Sequence, residues 1–485
     1  MKSPVDRASL GFFSENHCER CRLSFDLDQS FSTIRIHSGL GNGYIVRLPN
    51  RISFEICIET RSAVNVVNPK SVRQLFWPRI FAVCFLLSSF GLQAGSAQDW
   101  HQWGGPQRDF SIPDYNFDSA TEFASIKEAW HVKIGSGNSG ICVHGKIAFV
   151  CFTRNNQECV VAYSIADGRE IWKRKFDVKT PEFMDLEFGL GPHSTPMIRN
   201  DLLFCVGMTG RLSALNVATG ATVWERQLWD NGNHTKLERG YAASPIAYED
   251  SIILPVGGKN CSVRCFAMTN GELRWQKHDF DCAYASPLIA RLGGRNQAVL
   301  LMEQSLIGID PVTGGLLWSY PVRTELYVNC TSPVIGPDDT IVINTGDGLR
   351  GLRIRVANDQ YSVEETWASR ITICQTTNFV LREGIIYGSK EGSIFAAVDA
   401  SNGRTVWQSR DLKDCVIAVA GDHLIAMQEN GQLVIASVSP RGIKTKWRKP
   451  LLSARCWVGP VVAHGLLLVR DSEKLIALHL PKQTE

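Results

Sequence analysis

The chain has 485 residues, 44% hydrophobic and 20% charged, with a formal net charge of +3. Those proportions exclude a disordered chain and predict globular structure. Residues 1–97 hold 11 Lys+Arg and 7 Asp+Glu, leaving −1 for the remainder. That balance gives no basis for binding nucleic acid or an anionic membrane surface.

Residues 1–67 show no clear hydrophobic period. They read as a non-native upstream extension, from a start codon placed too early, or as a disordered segment. Cys18 and Cys21 are spaced like half of a metal knuckle, but no second pair follows, so no metal site is read. Residues 68–97 have the form of a secretory signal. Arg73 and Arg79 precede the apolar run Ile80–Leu92, and the small residues Ala94, Gly95, Ser96 and Ala97 follow. The run is short for a membrane span of roughly 20 residues. Cleavage after Ala97 would place the protein in the periplasm or outside the cell, with no membrane span left. Cys84 lies inside the apolar run, so it does not read as a lipid-bearing cysteine. Eleven of the fifteen cysteines follow the cut; an odd number leaves at least one unpaired or paired between chains. Residues 98–125 read as an N-terminal segment that packs on the rest by burying Trp100 and Trp103.

Residues 126–482 repeat. Tryptophans stand at Trp130, Trp172, Trp224, Trp275, Trp318, Trp367, Trp407 and Trp447, at intervals of 40 to 52 residues. That is the period of a four-stranded propeller blade. Ten residues before each, from Trp172 onward, lies a small residue: Ala162, Ala214, Cys265, Gly308, Ala357, Ala397 and Ser437. Four residues before it, in five units, lies Gly168, Gly220, Gly271, Gly314 or Gly403, after a polar turn former. Each unit therefore reads strand, tight turn, strand. The tryptophan is expected to fill the gap between neighbouring sheets, and the small residue to make room for it. The final segment has Ala477 in the small-residue position but no tryptophan after it, while Trp130 has no blade before it. The predicted fold is all-β: an eight-bladed β-propeller of four-stranded antiparallel blades. Its ring closes when the N-terminal strand around Trp130 joins the last blade, which removes exposed edges.

The pattern Ala-x-Asp/Asn-x-x-Thr-Gly-x-x-x-Trp resembles the tryptophan-docking motif of the PQQ-type β-propeller superfamily. That group includes quinoprotein alcohol dehydrogenases and the BamB scaffold of the outer-membrane β-barrel assembly machine. The stretches "DWHQWGGPQRD" and "RCWVGPVVAHGLLLVRD" look like an exported bacterial branch common in planctomycetes. The resemblance implies either a binding and scaffolding module for an envelope protein or polymer, or a dehydrogenase. A dehydrogenase of this kind would hold PQQ and calcium and oxidise an alcohol or sugar. Against it, the chain lacks a Cys-Cys dipeptide and a Cys-x-x-Cys-His haem site. No cofactor is expected on the first reading; PQQ and calcium belong to the second. No assembled catalytic or metal-ligating set is read.

Any site should lie where inner strands begin, at the channel mouth. The polar or aromatic residues there are His193, Arg239, Tyr241, Tyr284, Asn329, Gln375, Asn378 and Trp457. The same residues could serve only to satisfy backbone groups or hydrate the channel. Glu187, Glu303 and Asp347 lie in or near connections, where a Ca²⁺ would look for oxygens. Cys282, Cys330, Cys374, Cys415 and Cys456 recur near the inner strands and read as small buried hydrophobes.

Overall fold

In this computed structural model, residues 99–481 are described except 113–114, 116, 118–122, 188, 230–231, 324–328, 372–377 and 391–392; upstream, the backbone of seven short strands between Cys21 and Ile58 is also described. The chain divides into two compact units, Met1–Ala94 and Gly95–Glu485. In the first, strands 2 to 6 form a five-stranded sheet and strands 1 and 7 a two-stranded one. No period was read there: the strands are two to six residues long, too short for alternation to register. The signal segment 68–97 lies outside the described residues.

The second unit consists of eight four-stranded sheets, all antiparallel. We number the blades in chain order. Their inner strands are Cys142–His144, Met197–Arg199, Ile246–Tyr248, Leu288–Leu292, Val334–Ile335, Val380–Arg382, Cys415–Ala420 and Val461–Ala463. Each blade then runs outward through short turns. In blade 8 the outermost strand is Lys127–Lys133, paired with Lys474–His479 so that Trp130 stands opposite Ala477. Helix is limited to two short 3₁₀ turns, Phe123–Ser125 and Pro337–Asp339, among the described residues.

Middle strands such as Leu466–Arg470 and His423–Gln428 are buried throughout. They are covered by a blade on each face, so they read as continuous apolar runs instead of alternating. Outer strands such as Glu170–Asp177 are largely exposed and rich in charge.

The tryptophan joins blades in two directions. Within its own blade it faces a small residue: Ala162 opposite Trp172, Ala214 opposite Trp224, Cys265 opposite Trp275, Gly308 opposite Trp318, and Ala397 opposite Trp407. A Cβ at Gly308 would collide with the Trp318 ring. Toward the next blade its ring covers the turn glycine. Gly220 has φ +69, and a Cβ there would meet Trp172 Cε3 at 2.5 Å. Glycine is therefore required twice, for its left-handed backbone and for its missing side chain. Gly168, Gly271, Gly314 and Gly403 stand in the same relation to Trp130, Trp224, Trp275 and Trp367. From Trp130, Trp172, Trp224, Trp367 and Trp407 the indole N–H then donates across the gap, as from Trp172 to Val217 O at 2.9 Å and from Trp224 to Met268 O at 2.8 Å, whereas Trp318 donates to Gln297 Oε1 of its own blade.

Two small-residue assignments need correction. Trp367 faces Gly351, not Ala357, and Trp447 faces Ile435, not Ser437. In both units the outer hairpin is longer: Gly348–Ala357 with Gln360–Ala368, and Gln432–Ser439 with Gly442–Pro450. A fixed count of ten residues then falls short of the true partner. These are also the two units without the turn glycine.

Candidate functional site: a blind central channel

The connections that bring the chain from one blade's edge to the next blade's centre line a cavity of about 680 Å³. Its wall is built from a dipeptide. Thr195-Pro196, Ser244-Pro245, Ser286-Pro287 and Ser332-Pro333 introduce the inner strands of blades 2 to 5. Proline holds the preceding residue extended. That aligns the hydroxyls, and each accepts an amide proton from its counterpart one blade earlier. Gly140 N donates to Thr195 Oγ1 at 3.0 Å, Thr195 N to Ser244 Oγ at 3.0 Å, Ser244 N to Ser286 Oγ at 2.9 Å, and Ser286 N to Ser332 Oγ at 2.8 Å. On the far side the wall turns apolar, with Val416, Val458 and Val461.

One end of the cavity is closed by the chain itself. Trp100, Trp103, Gly104 and Phe110 line it. Trp100 pairs with Val143 of blade 1, and Ile198 N of blade 2 donates to His101 O at 2.7 Å. Arg108 Nη1 donates to Pro245 O at 3.1 Å, and Val419 N of blade 7 to Phe110 O at 2.9 Å. Residues 99–112 are thus pinned to blades 1, 2, 3 and 7. Trp103 meets Phe110 edge-on at 4.9 Å.

Of the residues picked from sequence, His193, Arg239, Tyr284, Asn329, Asn378 and Trp457 come together around this cavity. Tyr241 does not. It is fully buried, and its hydroxyl donates to Pro255 O at 2.8 Å. The extended backbone alternates here: Ala242 and Ser244 face the channel, while Tyr241 and Ala243 enter the blade core. Gln375 and Cys374 lie outside the described residues.

Most of these polar groups are committed to the ring. Arg239 pairs with Asp185 at 2.6 Å and Glu187 at 3.4 Å. Asn329 Nδ2 donates to Met302 O at 2.8 Å and Glu303 O at 2.9 Å. Burial pushes the Tyr284 phenol up to about 12. His193 Nδ1 accepts from Asn138 Nδ2 at 3.3 Å, which leaves the proton on Nε2. Burial pulls its pKa down to about 4, opposed by a hydrogen bond to the Arg239 backbone.

That shift predicts a pH dependence. Above pH 6.5 His193 is neutral in both folded and unfolded chains. As pH falls from 6.5 toward 4, the unfolded chain takes up a proton that the folded one refuses. Stability contributed by the neutral ring is lost across that window, by about 2–3 kcal/mol, and the loss levels off below 4. Urea midpoints at pH 7 and 4.5 should differ more for the wild type than for His193→Gln.

Cys330 lines the cavity, whereas Cys282, Cys415 and Cys456 are buried in the blades. The ten described cysteines from Cys142 to Cys456 are free thiols. No group of three His, Cys, Asp or Glu among the described residues is placed to hold a metal. Glu187, Glu303 and Asp347 do not converge. Sequence reading missed the hydroxyl ladder, although Ser/Thr-Pro recurs in four successive units. It also missed Phe110, which carries no repeat to mark it.

Blades of four strands, most of them locked by a tryptophan onto the turn of the next, define a PQQ-type β-propeller. The chain belongs to the family described as "Outer membrane protein assembly factor BamB", which it matches over residues 119–278 and 156–409, more than half its length. Outer membrane protein assembly factor BamB of Yersinia pestis is 19% identical over 299 residues, covering 58% of this chain and 72% of that protein. The namesake from Moranella endobia (strain PCIT) is 20% identical, covering 57% and 72%. Among solved structures, BamB from Moraxella catarrhalis superposes with a TM-score of 0.54 at 14% identity, over 74% of this chain and 99% of that one. Quinohemoprotein alcohol dehydrogenase from Comamonas testosteroni superposes with a TM-score of 0.58 at 12% identity, over 80% and 82%. At such identity, those two structures speak for the fold alone.

Proposed function

We propose that this propeller is a binding module that holds an envelope protein or polymer, without catalysis of its own. The observation that carries this reading is the commitment of the channel's polar groups. Arg239, Asn329 and the hydroxyl ladder hold blades and connections together. Further support comes from the rim. The outer strands of blades 1, 2, 3, 4 and 6 leave Ile171, Val223, Leu273, Leu316 and Val406 exposed next to the docking tryptophans. Outer strands also carry unpaired backbone groups that a partner's strand can meet. The relatives named as assembly factors point to a protein partner. Export from the cell fits the same reading. No helix among the described residues is long and apolar enough to cross a membrane.

The alternative is a PQQ- and calcium-dependent dehydrogenase. A calcium–quinone pair asks for converging carboxylate and amide oxygens and for cations facing the quinone's acids. The described lining offers a single carboxylate, Glu238, beside the amides of Asn138, Asn329, Asn344 and Asn378, and its one guanidinium, Arg239, is already paired with two acids. That donor set does not fit the pair, and no step is derived through it.

Crosslinking in intact cells followed by purification tests the choice. The expected result is a stoichiometric envelope partner whose yield falls when Val223 and Leu273 become Lys. Stoichiometric PQQ binding with calcium, and dye reduction with alcohols, would overturn the proposal.

A further inference from the structure

The hydroxyls of the channel ladder are only half used. Thr195, Ser244, Ser286 and Ser332 each accept an amide proton, and each is at least nine-tenths buried. Among the described residues, none of the four donates its own proton to a protein acceptor. One blade on from Ser332, before the inner strand of blade 6, Asn378 Nδ2 donates to Ile417 O at 3.1 Å, but its Oδ1 is buried without a partner. A buried polar atom left unpaired costs about 1–3 kcal/mol. Four donors and one acceptor are therefore unspent in one enclosed space.

We propose that the blind channel is a binding site for a neutral saccharide, taken as a free sugar or as the end of a glycan. Three features of the wall select this class. The described lining offers no unpaired cation, because Arg239 is held by Asp185 and Glu187. An anion would meet the Glu238 carboxylate in the lining, whereas the buried guanidinium of Arg108 packs on the Trp103 ring and is not part of the lining. A hydrocarbon would leave all five unspent polar atoms unpaired. A sugar both accepts from the four hydroxyls and donates to Asn378 Oδ1. Its apolar face suits the aromatic rings of Trp103, Tyr284 and Trp457, which line the same space. The volume of about 680 Å³ lies within the range of small-molecule sites. A peptide is disfavoured by the closed floor: a chain end would carry its charge in, and a loop must enter and leave by one mouth.

This inference concerns the channel and stands apart from the rim that a protein partner would use, so either can fail alone. The test is titration of the purified full chain with glucose, N-acetylglucosamine, maltose and cellobiose. Tryptophan fluorescence reads the cavity through Trp103 and Trp457, and calorimetry reads the stoichiometry. The expected result is one site for at least one of these sugars, with a Kd below about 10 mM. Asn378→Leu should weaken it at least tenfold. Ser332→Ala, which removes one donor on the neighbouring blade, should weaken it severalfold; thermal melts of both variants establish that the ring remains folded. No binding of any of the four sugars would overturn the proposal. So would binding undiminished in both folded variants, or stronger competition by a carboxylated sugar or a peptide.

Discussion

Arg470→Met should open the joint between blades 8 and 1 and cost about 3–5 kcal/mol, as expected when one side of a buried charged network is removed. Arg470 is completely buried in the second strand of blade 8. Its guanidinium donates to five carbonyls: Asp471 O at 3.1 Å, Ser139 O at 3.1 Å, Cys151 O at 2.8 Å, Gly135 O at 3.3 Å and Gly137 O at 2.7 Å. Four of those five belong to blade 1 and the strand leading into it. Burial lowers the Arg470 pKa to about 10, opposed by Asp471 and nearby thiols and phenol, so the charge persists at neutral pH. Methionine fills similar space but leaves the carbonyls facing one another. Lysine keeps the charge yet cannot present a planar fork of five N–H groups, and should recover only part of the loss. Hydrogen exchange checks the location. Amides of Gly135–Ser139 should exchange faster in Arg470→Met, while Ile253 and Leu254 in blade 3 keep their protection. Uniform acceleration around the ring would contradict a joint at this seam.

Arg470 also marks the limit of what sequence exposes. The tryptophans were legible because a ring needs the same joint repeatedly, and repetition turns packing into a period. The turn glycines were legible for the same reason. Arg470 is used once, inside "LLLVRD", where a basic residue at a strand's end looks like a solvated edge. Glu158 is similar. Its carboxylate accepts from Met208 N at 2.6 Å and from Arg211 Nη2 at 2.5 Å, joining blade 1 to blade 2, with nothing in its neighbourhood to set it apart. The register of two blades was misread because hairpin length varies while the blade geometry does not. At the channel, position after each connection picks out extended segments that line the cavity. It does not give which side of them faces the channel, as Tyr241 shows, because alternation needs a fixed phase and no neighbouring residue supplied one. The Ser/Thr-Pro ladder was visible as letters. Its meaning depends on hydroxyls of consecutive blades meeting amides, which only the closed ring provides.

The tryptophan and glycine of one joint should be strongly coupled, and Trp224 with Gly271 is the place to measure it. Trp224 is buried, packs 5.9 Å from the Phe204 ring, and bonds to Met268 O of the next blade. Trp224→Ala should cost about 3–5 kcal/mol through lost burial and the cavity left behind. Gly271 sits at φ +66, and a Cβ there would meet Trp224 Cε3 at 2.5 Å. Gly271→Ala therefore adds two penalties: about 1–2 kcal/mol for the left-handed backbone and about 1–3 kcal/mol for forcing the indole aside. With Trp224 already removed, only the backbone penalty survives. The double variant should thus be less destabilised than the sum of the single changes by about 1–3 kcal/mol. Combining Trp224→Ala with Gly314→Ala, whose own covering ring is Trp275, supplies the control and should be additive within about 0.5 kcal/mol. Urea denaturation of the five variants and the wild type gives both cycles. Additivity in both would mean that the glycine serves the turn alone, and that the ring of the preceding blade rests on it without depending on its size.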